Sequence, residues 1–153
     1  MRFRKSMTLL LTLTLLLAWP VLAENEKKEK KKKNRNPDVV TVQHVLISFE
    51  GKLNKPIERD KKEAQELAWE IFDRAEAGED FDALVKEYTN DSHPGIYTMT
   101  NRGAAKLKDT FTRGDMAVSF GDVSFRLDVG EVGMAKYHPD LSPFGFHIIK
   151  RLE

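Results

Sequence analysis

Two short apolar runs, Val42-Gln43-His44-Val45-Leu46-Ile47 and Ser142-Pro143-Phe144-Gly145-Phe146-His147-Ile148-Ile149, constrain the fold more than any other feature of this chain. Both read as buried strands, and each carries one histidine. Alternate side chains of a strand share a face, so His44 lies with Val42 and Leu46, and His147 with Ile149. If the strands lie side by side, the two imidazoles are expected directly opposite each other, with Cβ atoms about 4.5 to 5.5 Å apart. Taken alone, a histidine in a buried strand is more often a hydrogen-bonded core residue than a catalytic one. Both readings stay open at this point.

The start of the chain does not belong to that fold. Arg2, Arg4 and Lys5 precede an apolar run, Met7 to Val21, which ends at the small-residue site Val21-Leu22-Ala23 before the polar Glu24-Asn25-Glu26. This pattern predicts a secretory signal over residues 1–23, cleaved after Ala23. The alternative is an uncleaved inner-membrane anchor, since the run sits at the lower limit for spanning a bilayer. Either way the protein is expected to be exported, to the periplasm or the exterior. The absence of cysteine removes disulfides and thiol catalysis from consideration. Residues 24–36 hold seven basic and three acidic side chains and nothing apolar. They cannot bury enough surface to offset their ordering entropy, and read as a linker. Its lysines, Lys27 to Lys33, can make weak, salt-sensitive contact with an anionic surface.

The whole chain carries +1, the first 23 residues +3 and the next 13 residues +4, which leaves residues 37–153 at −6. An acidic domain is a poor binder of nucleic acid, because phosphates must be neutralised by surplus Lys and Arg. The 117 residues from Pro37 onward suit one domain. Within it Ala64, Leu67, Ala68, Ile71, Phe72 and Ala75 recur at helical spacing, with Gly78 where that helix stops. Asp80 is placed to cap a second helix carrying Phe81, Leu84, Val85 and Tyr88. Residues 92–110 fit no single period and read mostly as loop, with room for a short strand. Arg113-Gly114-Asp115 is expected to open a third helix capped by Asp115, with Met116 and Phe120 one turn apart. A short strand, the Tyr137-His138-Pro139-Asp140 loop and the final strand follow. Helices packed on a small, partly antiparallel sheet make an α+β domain. Four histidines raise the question of a metal, but none has HExxH or other close ligand spacing, so no metal site is expected. No phosphate loop or GxSxG motif is present either.

Six segments in order resemble the parvulin-type peptidyl-prolyl cis/trans isomerases: VQHVLI, the Ala77-Gly78-Glu79-Asp80-Phe81 junction, Tyr88-Thr89-Asn90-Asp91, FTRGDMAVSF, LDVGEVG and SPFGFHIIKR. The match runs from about His44 to Leu152. It implies a parvulin-like domain of the FKBP-like superfold, with a four-stranded mixed, largely antiparallel sheet surrounded by three to four helices. By position it implies that His44 and His147 are the paired core histidines and that Asp91 faces the substrate. Met116 and Phe120 fall on the proline pocket, Leu107 and Phe111 on its apolar wall, and Ser142 on a hydroxyl that hydrogen-bonds to the histidines. Without the resemblance, Asp91 would be a turn or capping residue and Met116 and Phe120 ordinary core. The chain departs from the family's usual short Gly-rich segment at residues 92–110. It also lacks a tight basic cluster after the first strand, Lys52, Lys55 and Arg59 being spread out between Glu50 and Glu58, so no selection for phosphorylated substrates is expected.

The resemblance implies an isomerase acting on proline-containing unfolded or flexible polypeptides, without cofactor and as a monomer. Its alternative is a non-catalytic chaperone or adaptor that binds extended polypeptide in the same groove, since equal affinity for ground and transition states gives binding without acceleration.

Overall fold

The computed structural model describes residues 37–153. The expected signal, membrane anchor, linker and Lys27 to Lys33 contact lie outside these residues. Five strands form one sheet in the order β3-β2-β1-β5-β4. They are β1 (Val39–Ile47), β2 (Ile96–Thr100), β3 (Phe111–Thr112), β4 (Val132–Ala135) and β5 (Phe146–Arg151). The helices are α1 (Lys61–Glu76), α2 (Phe81–Tyr88) and α3 (Val118–Ser124). Four strands were expected, and the fifth is the two-residue β3. After β2 the chain runs back through residues 101–110, so that β3 lies parallel beside it, with Met99 opposite Phe111. All other pairings are antiparallel.

The period-two pattern sorts the core onto two faces. Val45, Ile47, Phe146 and Ile148 pack under α1 and α2. Val40, Val42, Met99, Ala135 and Ile149 meet Phe120, Phe125 and Leu127 on the opposite face, which carries α3 and both histidines. The stripe expected in α1 is the buried one, with Ala64, Ala68, Ile71 and Ala75 inside and Leu67 and Phe72 partly so. A reciprocal capping box starts it: Asp60 accepts from the Lys62 and Glu63 amides, and the Glu63 carboxylate accepts from the Asp60 amide. Asp80 caps α2 as expected, accepting from the Ala83 amide at 3.0 Å.

The third helix differs from its expected form. Arg113–Asp115 is a 3-10 turn, the backbone is extended at Met116, and α3 begins only at Val118. The Asp115 carboxylate accepts from the Thr112 amide at 2.8 Å, a capping-box contact that makes Asp115 a cap as expected, but of the 3-10 turn and not of α3. Met116 and Phe120 are therefore not successive turns of one helix, although both pack on the same cluster.

Beyond Gln43, β1 has no β2 partner, and residues 89–95 take over that edge. Leu46 donates its amide to Thr89 Oγ1, Asn90 donates to the Leu46 carbonyl, and Ser48 donates to Asn90 Oδ1. Arg59 donates to the same Asn90 oxygen at 2.6 Å. The His44 amide donates to Gly95 O at 3.0 Å. Gly95 has φ +64°, and a Cβ there would lie 2.8 Å from the His44 carbonyl oxygen and 3.3 Å from the His44 ring. Only glycine accepts both constraints without displacement. Gly95→Ala is thus expected to cost about 1 to 3 kcal/mol in a denaturant titration, and to shift the His44 ring resonances in NMR spectra. Unchanged His44 resonances would show that this edge does not position the ring.

Candidate active site

His44 and His147 lie on the same sheet face, but not directly opposite. The register pairs His44 with Ile149 and Leu46 with His147, so the two histidines are diagonal neighbours. Their rings nonetheless lean together, stacked at 5.4 Å between centroids, with Nδ1 to Nδ1 at 3.2 Å. The other ring nitrogen of His44, Nε2, is 3.4 Å from Asp91 Oδ2, a contact longer than a well-formed hydrogen bond. Both rings are buried, while 41 % of the Asp91 side chain remains exposed. Asp91 is thus the member of this chain of groups that faces outward.

The polarity of the chain follows from the carboxylate. The contact with His44, outweighing desolvation, holds the Asp91 carboxyl below its usual range, so it is ionised at neutral pH. A carboxylate accepts only, which assigns a proton to Nε2 of His44. When His44 holds that single proton, its Nδ1 accepts and His147 donates from Nδ1. The lone pair of His147 Nε2 is then buried without a partner among the described residues. Burial, with the neighbouring His44, pushes the His147 pKa down to about 3, so this ring stays neutral.

Phe120 closes the site from α3. Its ring meets His44 edge-on at 5.2 Å and His147 at 5.3 Å. Met116, half-buried, packs on the same cluster. Tyr97 had gone unrecognised in the sequence and joins the parts: its hydroxyl donates to Asp91 Oδ2 at 3.4 Å, and its ring contacts His44, Phe111 and Phe120. The signal was present in Tyr97-Thr98-Met99, whose alternation puts Tyr97 and Met99 on one face. Phe111, about half exposed, reaches the site through Tyr97. Leu107 stands half exposed in the loop before β3, outside the buried cluster. Ser142 is buried, but its hydroxyl donates to Gly145 O at 3.1 Å within its own turn. With that proton committed, the expected hydrogen bond to the histidines is not made.

The result is a cluster of apolar and aromatic side chains with one ionised, partly exposed carboxylate on its outer side and two buried imidazoles behind it. Among the described residues no group of three His, Asp or Glu is placed to hold a metal ion. Such a site can grip an apolar ring and impose a field on a neighbouring amide without breaking a bond.

A family model described as the PPIC-type PPIASE domain matches residues 26–153. The chain belongs to this family. As a member of the parvulins, it is 34 % identical over 116 residues to the chaperone SurA of Pseudomonas fluorescens, covering 75 % of this chain and 23 % of that protein. It is 36 % identical over 87 residues to the foldase protein PrsA of Halalkalibacterium halodurans, covering 57 % of this chain and 23 % of the foldase. The chain thus spans under a quarter of the length of either relative. The fold resembles that of the peptidyl-prolyl isomerase ESS1 from Candida albicans, with a TM-score of 0.58 at 22 % identity over 88 % of this chain and 74 % of ESS1. It also resembles TbPIN1, with a TM-score of 0.55 at 18 % identity, covering 76 % of this chain and 98 % of TbPIN1. These structures share the fold, which in this chain is built on a five-stranded sheet.

Proposed function

We propose that this PPIC-type domain is a peptidyl-prolyl cis/trans isomerase that accelerates X-Pro isomerisation in exported or envelope proteins. The observation that carries the reading is the ionised, partly exposed Asp91 beside the Phe120, Met116 and Tyr97 cluster, backed by His44 and His147; we read that cluster as the recess that takes the proline ring. Residues 1–23 would direct export and residues 24–36 would serve as the linker, its lysines available to an anionic surface.

Amide resonance sets a rotation barrier of about 18 to 20 kcal/mol, and the unaided reaction takes tens to hundreds of seconds. Each 1.36 kcal/mol of preferential binding to the twisted amide is about tenfold in rate, so about 5 kcal/mol makes a useful catalyst. Phe120 and Met116 grip the pyrrolidine ring and exclude water. Asp91 beside the rotating carbonyl disfavours the planar, charge-separated resonance form. His44 and His147 orient and polarise Asp91, since isomerisation needs no net proton transfer.

Two features favour a second reading, a binder of extended polypeptide without acceleration. Apolar side chains stay exposed near the recess at Phe111 and Val118, and one relative is named a chaperone. Cis-to-trans relaxation of a panel of X-Pro peptides decides between them. Catalysed rates that fall roughly tenfold or more in Asp91→Ala and in Met116→Ala are expected. Binding of the peptides with no acceleration for any X would make the domain a holdase or adaptor.

A further inference from the structure

The ten-residue loop between β2 and β3 joins two strands whose side chains reach the site, Tyr97 on β2 and Phe111 on β3. Thr100 Oγ1 donates to Phe111 O at 3.3 Å, joining the strand of Tyr97 to that of Phe111. Asn101, buried, holds the base by donating to Pro37 O and accepting from Arg113. Above this base, residues 102–109 are almost wholly exposed. They carry Arg102, Lys106 and Lys108 against one carboxylate, Asp109, in a domain whose overall charge is −6. None of these three cations makes an ion pair among the described residues. Lys106 lies near enough to Asp115 to help lower its pKa, although the Thr112 amide is the main cause. Between the two lysines Leu107 is about half exposed, and Phe111 beside them is equally open.

A half-exposed apolar side chain between unpaired cations, on an acidic domain, adds little to stability: it leaves about half its surface in water, and like charges in one loop repel. It is complementary to a ligand that is apolar and acidic. We infer that this loop is a specificity-determining rim that binds acidic residues flanking the proline of an extended polypeptide, with Leu107 and Phe111 covering an apolar neighbour. The inference rests on the recess being a polypeptide site. Asp91 and the rim carry opposite charge, so the two ends of the groove divide the work: the substrate's acidic flank runs over β3 and the loop, away from Asp91.

The test uses the full chain and X-Pro peptides that differ only in carrying paired Glu, Gln or Lys on one or other flank of the proline. At low salt the Glu peptide, on one flank, is expected to exceed its Gln counterpart in kcat/KM by about three- to tenfold. Most of that preference should vanish at about 0.5 M salt. Lys106→Glu/Lys108→Glu is expected to abolish or invert the ratio, whereas Lys62→Glu/Lys86→Glu, which changes the net charge equally at remote helix positions, leaves it unchanged. Equal rates for the three peptides would overturn the inference. So would a preference that survives in the Lys106/Lys108 variant, because its source would then be other cations such as Lys27 to Lys33. If no peptide is accelerated, the same ratios are read from fluorescence anisotropy of peptide binding, and the rim stands or falls independently of the isomerase reading.

Discussion

Truncating Phe120 to alanine is expected to destabilise the domain by about 3 to 5 kcal/mol, the range for removing a buried aromatic ring. Phe120 is 3 % exposed and its ring meets three others, His44, His147 and Tyr97. Edge-to-face pairs of this kind contribute about 0.5 to 1.5 kcal/mol each beyond the area they bury. No neighbour is free to fill the space, because His44 and His147 are held by each other and Tyr97 by Asp91. Chemical denaturation at neutral pH measures the stability loss. Phe120→Leu separates the two roles: it keeps most of the buried volume, so the domain stays folded, but it removes the aromatic edge facing the histidines. If the domain is the isomerase proposed, its activity should then fall roughly tenfold with a small change in stability. A denaturation midpoint for Phe120→Ala equal to that of the parent would show that the ring is not packed as described.

Acid should unfold this domain through His147. Its pKa falls from the ordinary 6.5 to about 3 in the folded state, because the ring is buried and has His44 beside it, with Asp91 acting weakly in the other direction. Between those values the unfolded chain binds a proton that the folded chain refuses. Stability therefore rises with pH across this window: the full value is present above about pH 6.5 and is lost as pH falls towards 3. At 1.36 kcal/mol per pH unit, the loss between pH 6.5 and 4.5 is about 2 to 3 kcal/mol from this one group. Asp91 adds to the same trend nearer its own depressed pKa, where protonation removes the partner of His44. His147→Asn removes the titrating ring, so its stability should depend less on pH than that of the parent by that amount, whatever its absolute stability. Parallel curves for the two proteins would mean that His147 is not buried neutral in the folded state.

How far the sequence was legible depended on how many residues reported each feature. The stripe of α1 repeats over three turns, and Asp80 sits where a cap must, so both long helices stand as read. The turn at Arg113–Asp115 is only three residues, capped by Asp115, and the extended backbone at Met116 separates it from α3. β3 is two residues long and has no period at all; it exists because the preceding loop carries Phe111 back beside Met99. Tyr97 was hidden inside a segment whose glycines, proline and asparagine read as loop.

The local pattern by itself determined the two longer helices, the strand faces, the acidic charge of the domain and the family to which the ordered motifs belong. Those properties are written in neighbouring residues, where spacing and side-chain type are enough. Tertiary structure alone decided which atoms meet. A strand's side chains repeat every two residues, so a shift of register by two leaves every apolar residue on its proper face. Alternation therefore placed His44 and His147 on one face but could not say that they are diagonal. Nor could it show that their Nδ1 atoms meet at 3.2 Å across 103 residues of chain, or that Ser142 turns away to Gly145. In the register that forms, Phe120 packs edge-on against both imidazoles and Tyr97 against His44, contacts that depend on residues distant in the chain.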